Sequence, residues 1–171
     1  KRKISHSPYV AHLLRVAGIV LEHAATEDEA IAALLHDAIE DQGGAAARQA
    51  IRERFGDDVV AIVDGCSDAE TIPKPPWRGR KEMHLAHLRQ ASASIRLVVA
   101  ADKLDNIRSL VEEYRNRGEA IWEFFHGRRD GTLWYYRSMV DLLCAADPTP
   151  LTDELQRTMA KLEAKAEGER R

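Results

Sequence analysis

The chain has 171 residues, of which 44% are hydrophobic and 31% charged, a balance that suits one globular domain and excludes both a disordered and a membrane-spanning polypeptide. Its net charge of -3 offers no long-range attraction to a nucleic-acid polymer, so an anionic ligand would have to be small and held by a local cluster of cations. The two cysteines, Cys66 and Cys144, lack metal-finger spacing and read as reduced, packed thiols.

The opening Lys1-Arg2-Lys3 runs into Ile-Ser-His-Ser-Pro-Tyr rather than an apolar stretch, which reads as a cytoplasmic protein without a signal peptide. From Tyr9 to His23, apolar residues at Val10, Leu13, Leu14, Ala17, Val20 and Leu21 recur at the spacing of a helix with one buried face, started by Ser7-Pro8. Thr26-Glu-Asp-Glu29 matches a capping box in which Thr26 and Glu29 satisfy each other's free backbone N–H groups. It opens Ala30 to Ile39, an almost wholly apolar run that predicts one helix buried on nearly all sides. Gly43-Gly44 ends it.

The pattern next predicts a helix from Ala45 to Phe55, closed by Gly56, and a short one from Asp57 to Gly65. Residues 71–80 hold three prolines and a glycine, so that segment reads as a loop, with Trp77, Arg78 and Arg80 placed to close over a ligand. Helical periodicity resumes from Lys81 to Leu88, and beyond the Ser92-Ala-Ser94 interruption a long helix is expected from Ile95 to Arg115. Another runs from Thr132 to Ala145. Pro148 and Pro150 separate a domain over 1–146 from a charged C-terminal helix or tail over 147–171. No stretch alternates as a strand does, and none approaches the roughly 20 apolar residues that a bilayer crossing needs. The expected fold is all-α, a single-domain helical bundle.

Chemistry concentrates in His36-Asp-Ala-Ile-Glu-Asp41, four ionisable groups in six positions at the end of an apolar helix. Buried bare, each carboxylate costs several kcal/mol, so the cluster needs a cation, hydrogen-bond partners or open solvent. His36 and Asp37 leave a helix about 100° apart, close enough to grip one ion, and four-residue spacing stacks Glu40 under His36 and Asp41 under Asp37. His12, in the apolar Tyr-Val-Ala-His-Leu-Leu segment, and Asp102, after Ile95 to Ala101, are isolated polar residues on apolar faces. Together His12, His36, Asp37 and Asp102 form a mixed imidazole and carboxylate set suited to Mn²⁺, Fe²⁺ or Zn²⁺, with Mn²⁺ preferred.

Ser7-Pro-Tyr-Val-Ala-His12, Ala33-Leu-Leu-His-Asp-Ala-Ile-Glu-Asp41 and Ala100-Ala-Asp-Lys-Leu-Asp-Asn-Ile-Arg108 resemble, in this order, three signatures of the HD-domain phosphohydrolases. More narrowly they are similar to the hydrolase domain of the RelA/SpoT homologue family and to its stand-alone branch, the small alarmone hydrolases. The resemblance runs from Lys3 to Leu143. It implies an HD-type helical fold over 1–146 and Mn²⁺-dependent removal of pyrophosphate from the 3′ position of guanosine tetraphosphate or pentaphosphate, (p)ppGpp. It further implies catalytic roles for Glu40 and Asp41 and nucleotide contacts at Lys3 and Asn106; Arg80, beside the proline loop, and Tyr135, among the C-terminal aromatic residues, are candidate contacts of the sequence's own. Three features depart from the family pattern: Leu13 stands where a proline is common, acidic Asp105 precedes Asn106, and the usual preceding helix is not in the numbered chain. The last two bear on substrate binding. A related substrate, such as an adenosine alarmone, NADPH or a simple nucleotide, fits the same metal site. A non-catalytic nucleotide-sensing module is the alternative of another class, although such a module is expected to have lost a ligand or the Glu40-Asp41 pair.

Overall fold

The computed structural model describes residues 1–2, 4, 6–23, 25–41 (Asp41 by its backbone alone), 43–67 and 75–168, and every regular element among them is a helix. Helix α1 (Tyr9–Glu22) buries His12, Val16, Ala17, Ile19 and Val20, one helical face but a rotated one, since only Ala17 and Val20 of the residues expected on it are buried and Val10, Leu14 and Leu21 are exposed. The Thr26 box is present, with Glu29 N donating to Thr26 Oγ1 at 3.3 Å and Thr26 N donating to Glu29 Oε2 at 2.7 Å. It starts α2 (Glu27–Leu35).

The single helix expected as far as Ile39 is broken. α2 stops at Leu35, His36 and Asp37 form a turn, and α3 (Ala38–Asp41) follows. The His36 ring accounts for the break, because its Nδ1 donates at 2.8 Å to the Ala33 carbonyl, the acceptor that an uninterrupted helix offers to residue 37. α2 is also less enclosed than its composition implies: Ala32 and Ala33 are fully buried, but Leu34 is 38% exposed.

α4 (Ala45–Phe55) and α5 (Asp57–Cys66) meet at Gly56, whose φ of +89° is the left-handed conformation that favours glycine at a helix end. Residues 71–74 of the expected proline loop lie outside the described residues. Trp77 to Arg80, read from sequence as loop, instead form the first turn of α6 (Trp77–Leu88), which begins directly after Pro75-Pro76. Proline is well tolerated at a helix start. Packing fixes the turn, since the Trp77 ring sits over Gly127 and Gly131, where a Cβ would come within 2.6 Å and 3.2 Å of it.

The central element is α7 (Ala93–Arg117), which packs against α1, α2 and α5 and against the C-terminal helices. The serines read as an interruption are its start: Ser92 Oγ accepts from Ile95 N at 3.3 Å, so Ala93 and Ser94 are already helical. A 3₁₀ segment (Gly118–Phe124), which the sequence reading did not anticipate, leads into α8 (Arg128–Ala146) and α9 (Pro150–Gly168). Far from being a loose tail, α9 buries Leu151, Leu155, Met159 and Leu162 to within 2% exposure against α7 and α8. Ion pairs from Arg108 to Glu154 and from Arg137 to Glu163 flank that seam. No helix among the described residues is long and apolar enough to cross a membrane.

Candidate active site

Three helices deliver one cluster. His12 from the buried face of α1, His36 from the turn after α2 and Asp102 from the middle of α7 offer ligand atoms that all lie within 4.8 Å of one another, and all three residues are buried. His12 Nε2 is 3.2 Å from Asp102 Oδ1, and His36 Nε2 is 3.6 Å from the same oxygen. Asp37 joins them, its Oδ2 3.1 Å from His36 Nε2 and 4.0 Å from His12 Nε2, while the Tyr9 hydroxyl donates to that oxygen. All four expected metal ligands are therefore brought together, with Asp37 the most exposed of the set at 30% of its side chain.

The donor set fits a divalent cation. His36 commits Nδ1 to the Ala33 carbonyl, which leaves Nε2 buried and without a hydrogen-bond partner of good geometry. A buried imidazole nitrogen aimed at two carboxylates and a second imidazole is what a metal ligand looks like with its other nitrogen already anchored. The electrostatics carry the same imprint. Burial lowers the His36 pKa, but hydrogen bonding and charge from Asp102 and Asp37 outweigh it and hold the ring at about 10. His12 is raised in the same way, burial opposing and Asp102 and Asp105 prevailing. Asp102 is depressed well below the usual carboxylate range: burial pushes it up, whereas Lys103 and the two histidines bring it down. Without a cation the carboxylates favour the protonated form of both histidines.

His12, Asp37 and Asp102 of the cluster line a cavity of about 550 Å³, a size suited to a nucleotide. Acids and cations divide its wall, with Asp37, Glu40 and Asp102 near the cluster and Arg2, Arg80, Lys81 and Lys103 around it. Lys103 Nζ donates to Asp102 Oδ2 at 2.6 Å; burial works to lower its pKa, but the Asp102 charge outweighs burial and raises it well above normal, so it stays a cation. The aromatic side is Trp77, Phe124, Phe125, Tyr135 and Tyr136.

Of the expected substrate contacts, Arg80, Asn106 and Tyr135 line this cavity, and Glu40 does so beside Asp37. Asn106 lies one turn beyond Asp102 on α7, and its Nδ2 donates to Asp102 Oδ1 at 2.5 Å. Lys3 and the Asp41 side chain lie outside the described residues. Arg78 is not among the residues lining the cavity and stacks on Trp134, its guanidinium carbon 3.2 Å from the ring centroid. One expectation is corrected. Asp105, read as bearing on substrate binding, does not line the cavity; it is 2% exposed and accepts from Arg2 and Arg15 behind His12. Sequence reasoning missed Tyr9 and Lys103. Both had a signal, Tyr9 lying three residues before His12 on the same helical face and Lys103 adjacent to Asp102.

Comparison with known proteins adds a lineage to this geometry. The family model described as HD domain matches residues 1–133. The chain is 35% identical over 106 residues to the Drosophila melanogaster guanosine-3′,5′-bis(diphosphate) 3′-pyrophosphohydrolase MESH1, and 39% identical over 106 residues to that of Xenopus tropicalis. In each case the match takes in 61% of this chain and 56% of the relative, so the chain spans little more than half the length of the curated relatives it matches. A crystal structure of a Listeria monocytogenes EGD-e protein superimposes with a TM-score of 0.76 at 28% identity, covering 86% of this chain and 96% of that one. A structure described as a metazoan ortholog of SpoT that hydrolyzes ppGpp also gives 0.76, at 27% identity, covering 94% and 85%.

Proposed function

The chain belongs to the HD domain family, and from that premise we propose that it is a metal-dependent hydrolase that removes pyrophosphate from the 3′ position of (p)ppGpp. The observation that carries the proposal is the meeting of the buried His12, His36 and Asp102, with half-buried Asp37 beside them, and a cavity of about 550 Å³ whose lining includes Arg2, Arg80, Lys81 and Lys103. The names of the matched relatives supply the substrate class.

His12, His36, Asp37 and Asp102 are the proposed ligands, and Mn²⁺ is the proposed ion because mixed imidazole and carboxylate sets suit it. The chemistry such an ion supplies when bound is Lewis-acid polarisation of a phosphoryl oxygen and a lowered pKa for water. Glu40, at the cavity wall beside Asp37, orients the attacking water and takes its proton, with Asp41 as its proposed partner. Water adds to the phosphorus bonded to the ribose 3′ oxygen. That P–O bond breaks, the 3′ oxygen takes a proton, and GDP or GTP leaves together with pyrophosphate. Lys103 and Arg80 offset the negative charge of the phosphates, the more effectively because the cavity partly excludes water. Asn106 contacts the ribose or its phosphate, Lys3 adds a further cation, and Tyr135 lines the base side.

The test is substrate discrimination. Purified protein with Mn²⁺ is incubated with guanosine tetraphosphate, its adenosine counterpart, NADPH and GTP. Release of pyrophosphate with GDP from the first is the expected outcome. Phosphate released from NADPH alone, or no turnover of any 3′-diphosphate, overturns the assignment.

A further inference from the structure

Asp105 is a charged residue that the cavity does not use, yet it is held from three sides. His12 Nδ1 lies 2.7 Å from its Oδ2, Arg2 Nη1 donates to the same oxygen at 2.8 Å, and Arg15 Nε donates to Oδ1 at 2.5 Å. We propose that Asp105 is a positioning residue for the ligand His12, and that Arg2 ties it through Asn106 to Asp102, so that one guanidinium sets two ligands on two helices. The proposal rests on His12 and Asp102 being metal ligands.

An imidazole can present a lone pair from one nitrogen only if the other carries the proton, and a carboxylate acceptor at Nδ1 commits the proton there. His12 Nε2 is then the free nitrogen, and it faces the cluster, 3.2 Å from Asp102 Oδ1. A carboxylate that is 2% exposed needs compensation, which Arg2 and Arg15 provide by occupying both of its oxygens. Arg2 goes further. Its Nη2 donates to Asn106 Oδ1 at 2.6 Å, and Asn106 Nδ2 donates to Asp102 Oδ1 at 2.5 Å, which fixes which way the amide points. Two chains of contact leave the same side chain, one through Asp105 to His12 and one through Asn106 to Asp102. His36 is anchored differently, on the backbone carbonyl of Ala33. Changing Asp105 therefore loosens one imidazole while the other keeps its support.

The experiment reads metal binding rather than turnover. Full-length protein is stripped with chelator, then titrated with Mn²⁺ by calorimetry and with Co²⁺ by visible absorption, for wild type, Asp105→Ala, Asp105→Asn, Asp105→Glu and Arg2→Ala. Loss of a ligand's outer-shell partner costs about 10–100-fold in metal affinity, which is the effect expected for Asp105→Ala. It should be accompanied by a changed Co²⁺ spectrum at saturation, recovery to within about fivefold in Asp105→Glu, and a weakening of at least about threefold in Arg2→Ala. Mn²⁺ affinity in Asp105→Ala within about twofold of wild type, with an unchanged Co²⁺ spectrum, overturns the proposal. Should circular dichroism show Asp105→Ala unfolded, Asp105→Asn decides: a loss of at least about fivefold supports the proposal and a smaller one overturns it. A wild type that takes up no ion refutes the metal reading itself, whereas a wild type that binds while every variant binds equally well refutes only the role of Asp105.

Discussion

Loading the site with a divalent ion must expel protons. In the metal-free protein the His36 pKa stands at about 10, so at pH 7 its ring is charged and its Nε2 carries a proton where a metal would bind. The gap between about 10 and 7 is about 3 pH units, which makes the apparent affinity at pH 7 roughly a thousandfold weaker than the intrinsic one, a cost of about 4 kcal/mol. His12, also raised, adds to the effect in the same direction. The assay is Mn²⁺ titration calorimetry between pH 6.5 and 8.5 in buffers of different ionisation enthalpy. At least one proton released per ion is expected, with a dissociation constant falling about tenfold per pH unit, more steeply if His12 releases a second proton. The stability of the chelated protein runs the opposite way with pH. A histidine raised in the folded state contributes stability that is fully present below its unfolded value of 6.5 and is lost as pH rises through about 10. Alkaline pH should therefore weaken the stripped protein and leave the loaded one largely unaffected. A pH-independent affinity with no proton release would refute the view that the carboxylates keep the histidines protonated.

Two further predictions concern the frame around the site. Leu155→Ala on α9 removes a side chain with no exposed surface from the seam with α7, the helix that carries Asp102, and should cost about 2–5 kcal/mol in urea unfolding; a cost below about 1 kcal/mol would mean that α9 is peripheral. Gly127→Ala places a Cβ 2.6 Å from the Trp77 ring and 3.0 Å from Thr132 N, so it should cost about 1–3 kcal/mol, shift tryptophan emission and raise KM by displacing a cavity wall. Unchanged emission and KM would show that Trp77 does not shape the cavity.

Much of the bundle was legible because its signals are local. The Thr26 capping box and the Gly56 boundary between α4 and α5 each follow from neighbouring residues, and the structure contains both; α1 is a helix as expected, but of its expected apolar face only Ala17 and Val20 are buried while Val10, Leu14 and Leu21 are exposed. Where the reading failed, a tertiary contact decided. Trp77 to Arg80 are helical because the Trp77 ring has Gly127, just before α8, and Gly131, within it, to lie against, and nothing within residues 71–80 announces glycines some fifty positions downstream. The break at His36 comes from a ring that bonds back to its own helix, which apolar periodicity cannot register. The segment over 147–171 read as a charged helix or tail, and it is a helix over 150–168; its charge did not reveal that Leu151, Leu155, Met159 and Leu162 are buried at the spacing of a core helix. At the site, the cluster of His12, His36, Asp37 and Asp102 was recoverable from isolated polar residues on apolar faces. The direction in which Asp105 points was not, because α7 could have turned it toward the cavity or toward α1, and the positions of Arg2 and Arg15 settled it.

The most direct test is hydrolysis of guanosine tetraphosphate by the Mn²⁺-loaded protein, run beside His36→Ala and Glu40→Ala with metal content measured on each sample. Wild type should release pyrophosphate and GDP. His36→Ala should be inactive and depleted of metal, and Glu40→Ala should lose at least about a hundredfold in rate, as removal of a proton acceptor does, while still holding its ion. Turnover that survives in either variant, or a wild type that binds Mn²⁺ and leaves the tetraphosphate intact, would contradict the proposed function.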